Sequence, residues 1–233
     1  GETNPEEDSI FAQILNHSAM EAITQLDGIE KMEITRESRL YIQSDPAVLW
    51  PYAKQWARHV SKDDPAAVKE RMEAYQASAG QFEETQAVTL ELSALEEYNQ
   101  TAEHPVDLEA FAAGDILLVS GWAEEMESPE DFSVMIGQAL SIRGRDGQEC
   151  GDIYLEISAN GTGHVPVVLV SQAGMDRINP DADIRNICID AQEGQLMTLD
   201  QAIQEILAVA PDHVEYVSAA QASDGGEVRL ARE

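Results

Sequence analysis

Apolar residues recur at Ile10, Phe11, Ile14, Leu15, Ala19, Ala22, Ile23 and Leu26. That spacing of three and four predicts an amphipathic helix, opened by Asp8 and stopped by Gly28. Between Met32 and Gln43 the pattern alternates in part, through Ile34, Leu40 and Ile42, and predicts a strand or hairpin. Two helices come next, each announced by an Asp-Pro pair. Asp45-Pro46 leads into Val48, Leu49, Tyr52, Trp56 and Val60, and Asp64-Pro65 into Val68, Met72 and Tyr75, with Gly80 as the stop. The carboxylate caps free N–H groups, and a proline at the first helical position has no N–H to leave unpaired.

Beyond about residue 85 the period shortens. Val88, Leu90 and Leu92 alternate with polar neighbours and predict a strand, followed by a polar loop at 99–106. Asp107 to Ala113 reads as a short helix ended by Gly114, and Ile116 to Val119 as a strand buried on both faces. Ser128-Pro129-Glu130-Asp131 has the form of a helix start, and Phe132, Met135, Ile136, Ala139 and Leu140 would share one face of that helix. Ile153 to Ile157 and Val165 to Val170 read as strands joined at the Asn160-Gly161 turn signal. Thr198 and Gln201 form a capping box for a helix through Leu207, and Val214 to Val217 pairs with Val228 to Leu230 as a terminal hairpin.

Strands joined by turns as often as by helices predict an α+β fold with a mixed, largely antiparallel sheet and an N-terminal helical layer. No Pro/Gly/Ser linker divides the chain, so a single domain over 1–233 is expected, with a subdivision into a helix-rich 1–80 and a sheet-containing 81–233 as the alternative.

Charge changes the functional picture more than the fold. The 44 acidic and 14 basic side chains give a formal net charge of −30 over 233 residues. Such a field repels phosphate backbones and anionic lipid, which argues against nucleic-acid binding by a basic patch and against a membrane partner. No apolar run approaches the ~18 residues of a membrane helix. Residues 1–7 show no signal-peptide pattern, although an opening Gly1 is compatible with a trimmed tag or a removed leader, and a cytoplasmic, bacterial-type protein is the expectation. Self-repulsion also predicts that stability rises with moderate salt. The thermal midpoint should be higher in roughly physiological NaCl than at low ionic strength, and a flat or falling midpoint would contradict this.

Motifs are sparse. There is no nucleophile elbow, zinc-protease helix, Walker loop or C-x-x-C pair, and no cofactor is expected. Cys150 and Cys188 read as small buried hydrophobes. Asn179, Asp181, Asp183 and Asp190 fall at positions 1, 3, 5 and 12 of a calcium-loop count, the only metal pattern found, but Ile184 stands where that loop needs glycine. Glu124, Glu125, Glu127, Glu130 and Asp131 crowd five acids into eight residues after Trp122. Glu124, Glu125 and Glu127 are the candidate catalytic carboxylates. Trp50, Tyr52, Trp56 and Trp122 are candidate binding anchors, or else core residues. These observations favour a non-catalytic interaction or regulatory protein that docks a basic protein partner through an acidic surface. The alternative is an enzyme with a dispersed, metal-assisted carboxylate site near Trp122 to Asp131.

Overall fold

The structure, a computed structural model, describes residues 9–14, 17–119, 130–144, 152–155, 166–209, 214–218 and 229–230. In chain order the elements are β1 (Ser9–Ile14), α1 (His17–Thr24), β2 (Ile29–Gln43), α2 (Pro46–Val60), α3 (Pro65–Ala77), β3 (Phe82–Thr89), α4 (Leu92–Asn99), α5 (Leu108–Ala113) and β4 (Ile116–Val119). A 3-10 turn (Phe132–Met135) is next, then β5 (Ile142–Arg143), β6 (Asp152–Leu155), β7 (Val168–Val170), α6 (Gln172–Ile178), β8 (Asp183–Ala191), α7 (Leu196–Ala208), β9 (Val214–Ser218) and β10 (Arg229–Leu230). The fold is α+β with a mixed, mostly antiparallel sheet. Among the described residues no helix is long and apolar enough to cross a membrane.

Two compact units share the chain: Gly1–Arg36 with Asp183–Glu233, and Glu37–Ala182. The first contains β1-α1-β2 and β8-α7-β9. Its strands lie in the order β9-β1-β8-β2, with β1 antiparallel to both β8 and β9. This is the split β-α-β arrangement, interrupted between its second and third strands by the whole of the other unit. Alternation along the strands decides what is inside. Ile10 and Ala12 of β1 and Ile187, Ile189 and Ala191 of β8 are buried together with Ala19, Met20 and Ile23 of α1 and Leu199 and Ile203 of α7.

In the second unit β3 pairs antiparallel with β2 and parallel with β7, and β4 lies between β7 and β6. Its two cores follow from the pleat. Val168 and Val170 join Leu40, Ile42, Tyr52, Met72 and Met175 in one cluster, whereas Leu169 packs in the other with Leu95, Val106 and Phe111 of the α4–α5 region.

Several expectations are met and several corrected. The Asp-Pro starts hold in position: α2 and α3 begin at Pro46 and Pro65, and the Asp45 carboxylate accepts from the Ala47 N–H at 3.0 Å, whereas the Asp64 side chain makes no such capping bond. Asp107 caps α5, and Gly114 ends it in the left-handed conformation. The terminal hairpin is present as β9–β10. Residues 9–14, however, form a strand rather than the start of a helix. Ile10, Phe11 and Ile14 satisfy both periods over so short a run, and pairing with β8 and β9 on both sides decides for the strand. Leu92 opens α4 instead of ending a strand. After Asp131 only a 3-10 turn forms, capped by Asp131 itself. β6 and β7 do not pair as a hairpin, because β4 separates them. α7 starts at Leu196, two residues before the expected cap. The segment of the calcium count contains β8, in which the buried Ile187, Ile189 and Ala191 alternate with less buried neighbours. Cys188 lies exposed on β8 rather than buried, and Cys150 falls outside the described residues.

Candidate functional site

The α2–α3 hairpin carries the clearest cavity in the second unit. Two consecutive non-glycine residues with positive φ, Lys62 (49°) and Asp63 (58°), reverse the chain between the helices. Asp63 is anchored there, its N–H donating to the Arg58 carbonyl at 2.9 Å and its carboxylate accepting from Arg58 Nε at 3.0 Å. Pro65 then restarts the helix. Where the helices face each other, the small side chains of Ala53, Ala57 and Ala74 leave a space of about 230 Å³, open to solvent at its mouth. Trp56, Met72 and Tyr75 supply its bulky apolar lining, and Arg71, Ser78 and Glu83 its polar groups.

Electrostatics inside this cavity are simple. Burial, reinforced by the carboxylates of Glu83 and Asp45, pushes the Tyr75 hydroxyl above its ordinary range, so it stays neutral. The Arg71 guanidinium carbon lies 5.2 Å from the Trp56 ring centroid, and its Nε donates to Ser61 Oγ at 3.1 Å. Trp50 meets Tyr75 at 6.5 Å between ring centroids.

The sequence-derived candidates divide accordingly. Trp56 lines the cavity, whereas Trp50 is on the surface and Tyr52 is fully buried beside Phe132, a core residue rather than a contact surface. Trp122, Glu124, Glu125 and Glu127 lie outside the described residues. Their neighbours Glu130 and Asp131 line a second, more polar space of about 390 Å³ with Tyr98, Glu103, His104 and Ser133. Both carboxylates are already occupied there. Glu130 receives Lys54 Nζ at 3.4 Å and Arg58 Nη1 at 3.3 Å, while its backbone N–H donates to the buried Gln55 side chain at 2.9 Å. Asp131 accepts from the hydroxyl and N–H of Ser133, which hold its pKa below the ordinary carboxylate range.

The calcium count does not become a shell. Asn179 is buried, its Nδ2 donating to Ser38 Oγ at 3.0 Å and its Oδ1 accepting from the Asp181 N–H at 3.0 Å. Asp183 opens β8 and Asp190 is its penultimate residue, and seven steps of extended chain separate them by ~23 Å. Asp190 accepts from Ser9 Oγ at 2.9 Å. Among the described residues no group of three or more His, Cys, Asp or Glu could hold a metal ion. Sequence reasoning missed Arg71, Ser78 and Glu83, which belong to no motif. Arg71 could have been found only as one of few cations.

No protein-family model and no curated protein matches the chain. Solved structures similar in outline include the extracellular domain of the noncanonic ABC-type transporter YknZ from Gram-positive bacteria, at 7% identity and TM-score 0.41, covering 90% of this chain and 100% of that one. A second is the periplasmic region of MacB from Actinobacillus actinomycetemcomitans, at 5% identity and TM-score 0.41, covering 95% of each chain. A third is a domain of a permease protein from Porphyromonas gingivalis, at 13% identity and TM-score 0.36, covering 92% of each. The expectation of a cytoplasmic regulatory protein with an acidic docking surface, a basic partner and no link to membranes is not carried forward beside them. All three come from transporter or permease proteins, and two are described as lying outside the cytoplasm. The alternative of a carboxylate enzyme at Trp122 to Asp131 falls largely on residues 120–129, which lie outside the described residues. The docking and no-membrane expectations rest on net charge, which speaks to solubility, non-specific binding and association rates rather than to a specific partner, and the cytoplasmic one rests on the pattern of residues 1–7.

Proposed function

We propose that this chain is a binding domain whose second unit holds a small, mainly apolar molecule between α2 and α3. The observation behind this reading is the cavity of about 230 Å³, with alanines where the helices face each other and an aromatic side chain from each helix in its lining. An apolar cavity of ~150 Å³ accepts benzene, so a space of this size suits a bicyclic ring. A few polar groups placed around an apolar lining are the usual composition of a ligand site.

The test is a thermal-shift and calorimetric titration with indole. Saturating ligand that binds only the folded state raises the midpoint in proportion to the logarithm of its concentration over Kd. Wild type should show this rise. Ala57→Leu, which places an isobutyl group in the cavity, should fold and lose the response. No response in wild type, or an equal response in the filled variant, would defeat the reading. If the setting of the similar structures extends to this chain, the ligand is met outside the cytoplasm. Fractionation of source cells reads that directly, and recovery in the cytoplasmic fraction would set the chain apart from those structures.

A further inference from the structure

We propose that the molecule taken by the α2–α3 cavity is an aromatic monoanion, its negative group held by Arg71; this rests on the ligand-binding reading above. The starting point is how cations are spent in this chain. With 44 acidic side chains against 14 basic ones, a cation near the surface should find a carboxylate. Six of the described cations do: Lys31 meets Glu33, Arg39 meets Glu84, Lys69 meets Glu73, Arg177 meets Asp115, and Lys54 and Arg58 share Glu130.

Arg71 is different. Among the described residues its polar contacts are the neutral Ser61 hydroxyl and the Trp56 ring, and it makes no ion pair. Arg143, over the Phe82 ring at 3.8 Å, and Lys62 also make none, but neither lines this cavity. The Ser61 bond takes Nε, and the four N–H groups on the two Nη atoms remain as donors. The bond to Ser61 and the approach to the Trp56 ring restrict the guanidinium, so less freedom is lost when an anion docks. A planar carboxylate matches that fork with two parallel hydrogen bonds. An aromatic body would lie against Met72, Trp56 and Tyr75.

Glu83 bounds the charge. Glu83 lines the same cavity, and its negative charge weighs against a second one on the ligand. A singly charged carboxylate is therefore favoured over a phosphate ester. The overall charge of −30 slows the approach of any anion, and this effect is screened at physiological salt.

The experiment is calorimetry of the full chain, at roughly physiological ionic strength, with four probes: indole-3-acetate, indole, tryptamine and phenyl phosphate. Indole-3-acetate should bind about tenfold tighter than indole, the scale of one charge-assisted contact. Arg71→Gln should erase that preference, so that indole and indole-3-acetate bind alike, and its circular-dichroism melting curve checks that the variant is folded. Arg71→Lys should keep part of the preference, because a point charge remains without the planar fork. Equal affinity for indole and indole-3-acetate in wild type, or a preference for tryptamine or phenyl phosphate, would overturn the assignment and leave the cavity reading standing. Failure of all four probes to bind would remove both.

Discussion

Gly114→Ala is expected to destabilise the protein by several kcal/mol, whereas Gly80→Ala, at nearly the same backbone angle, should cost far less. Both glycines have left-handed φ, +81° for Gly114 at the C-cap of α5 and +85° for Gly80 in the turn after α3. An L side chain pays ~1–2 kcal/mol in that region, and this cost is common to both. What differs is the space around them. A Cβ on Gly114 would stand 2.9 Å from the backbone nitrogen of Gly174 and 3.0 Å from its Cα. Neither is the movable end of a side chain, so α5 and α6 would have to separate. Overpacking of this kind adds ~1–3 kcal/mol. Separation would also strain the cap that Arg177 places on α5, where Nη1 donates to the Gly114 carbonyl at 2.9 Å and Nη2 to that of Ala113 at 3.2 Å. At Gly80 the nearest atom to a new Cβ is the flexible Gln43 amide, at 3.9 Å. Urea unfolding of the two variants beside wild type decides the matter. Equal losses would mean that the α5–α6 approach contributes nothing beyond the helix-capping angle.

The elements that could be read from sequence are those in which the signal is local. Asp45-Pro46, Asp64-Pro65 and the Asp107…Gly114 pair each fix a helix end by a hydrogen bond or a backbone angle formed within a few residues, and all three appear where expected. The misread segments are those decided by distant pairing. Ile10 to Ile14 is a strand because β8 and β9, more than 170 residues away, flank it. Asp183 to Ala191 carries acids at the spacing of a metal count, while the period-two burial of Ile187, Ile189 and Ala191 makes it a strand. The split β-α-β unit was hidden by its interruption: its halves are separated by residues 37–182, so no contiguous stretch displays the motif. The candidate cavity was hidden for another reason. It is an absence of side-chain volume at Ala53, Ala57 and Ala74, and alanine in a helix is the least informative of residues. Trp56 was singled out for its size, but only the α3 residues opposite give it a ligand-sized space.

The interruption raises a question that one substitution can answer. We propose that both units unfold together as a single domain, because β2 is one continuous strand whose residues 29–36 belong to the first unit and 37–43 to the second. Ile203 of α7 is fully buried in the core of the first unit, among Ile23, Ile187 and Leu199. Ile203→Ala removes three carbons from that core and should cost about 2–5 kcal/mol, through lost transfer energy and the cavity left behind. All three tryptophans fall between Glu37 and Ala182, in the second unit. Their fluorescence therefore reports on the unit that the substitution does not touch. If unfolding is cooperative, the fluorescence midpoint should fall by the same amount as the circular-dichroism midpoint, since coincident transitions by different probes are the mark of two-state behaviour. A fluorescence curve that stays at its wild-type position while circular dichroism splits into two steps would show that the inserted unit keeps its fold without its neighbour, and the single-domain reading would be lost.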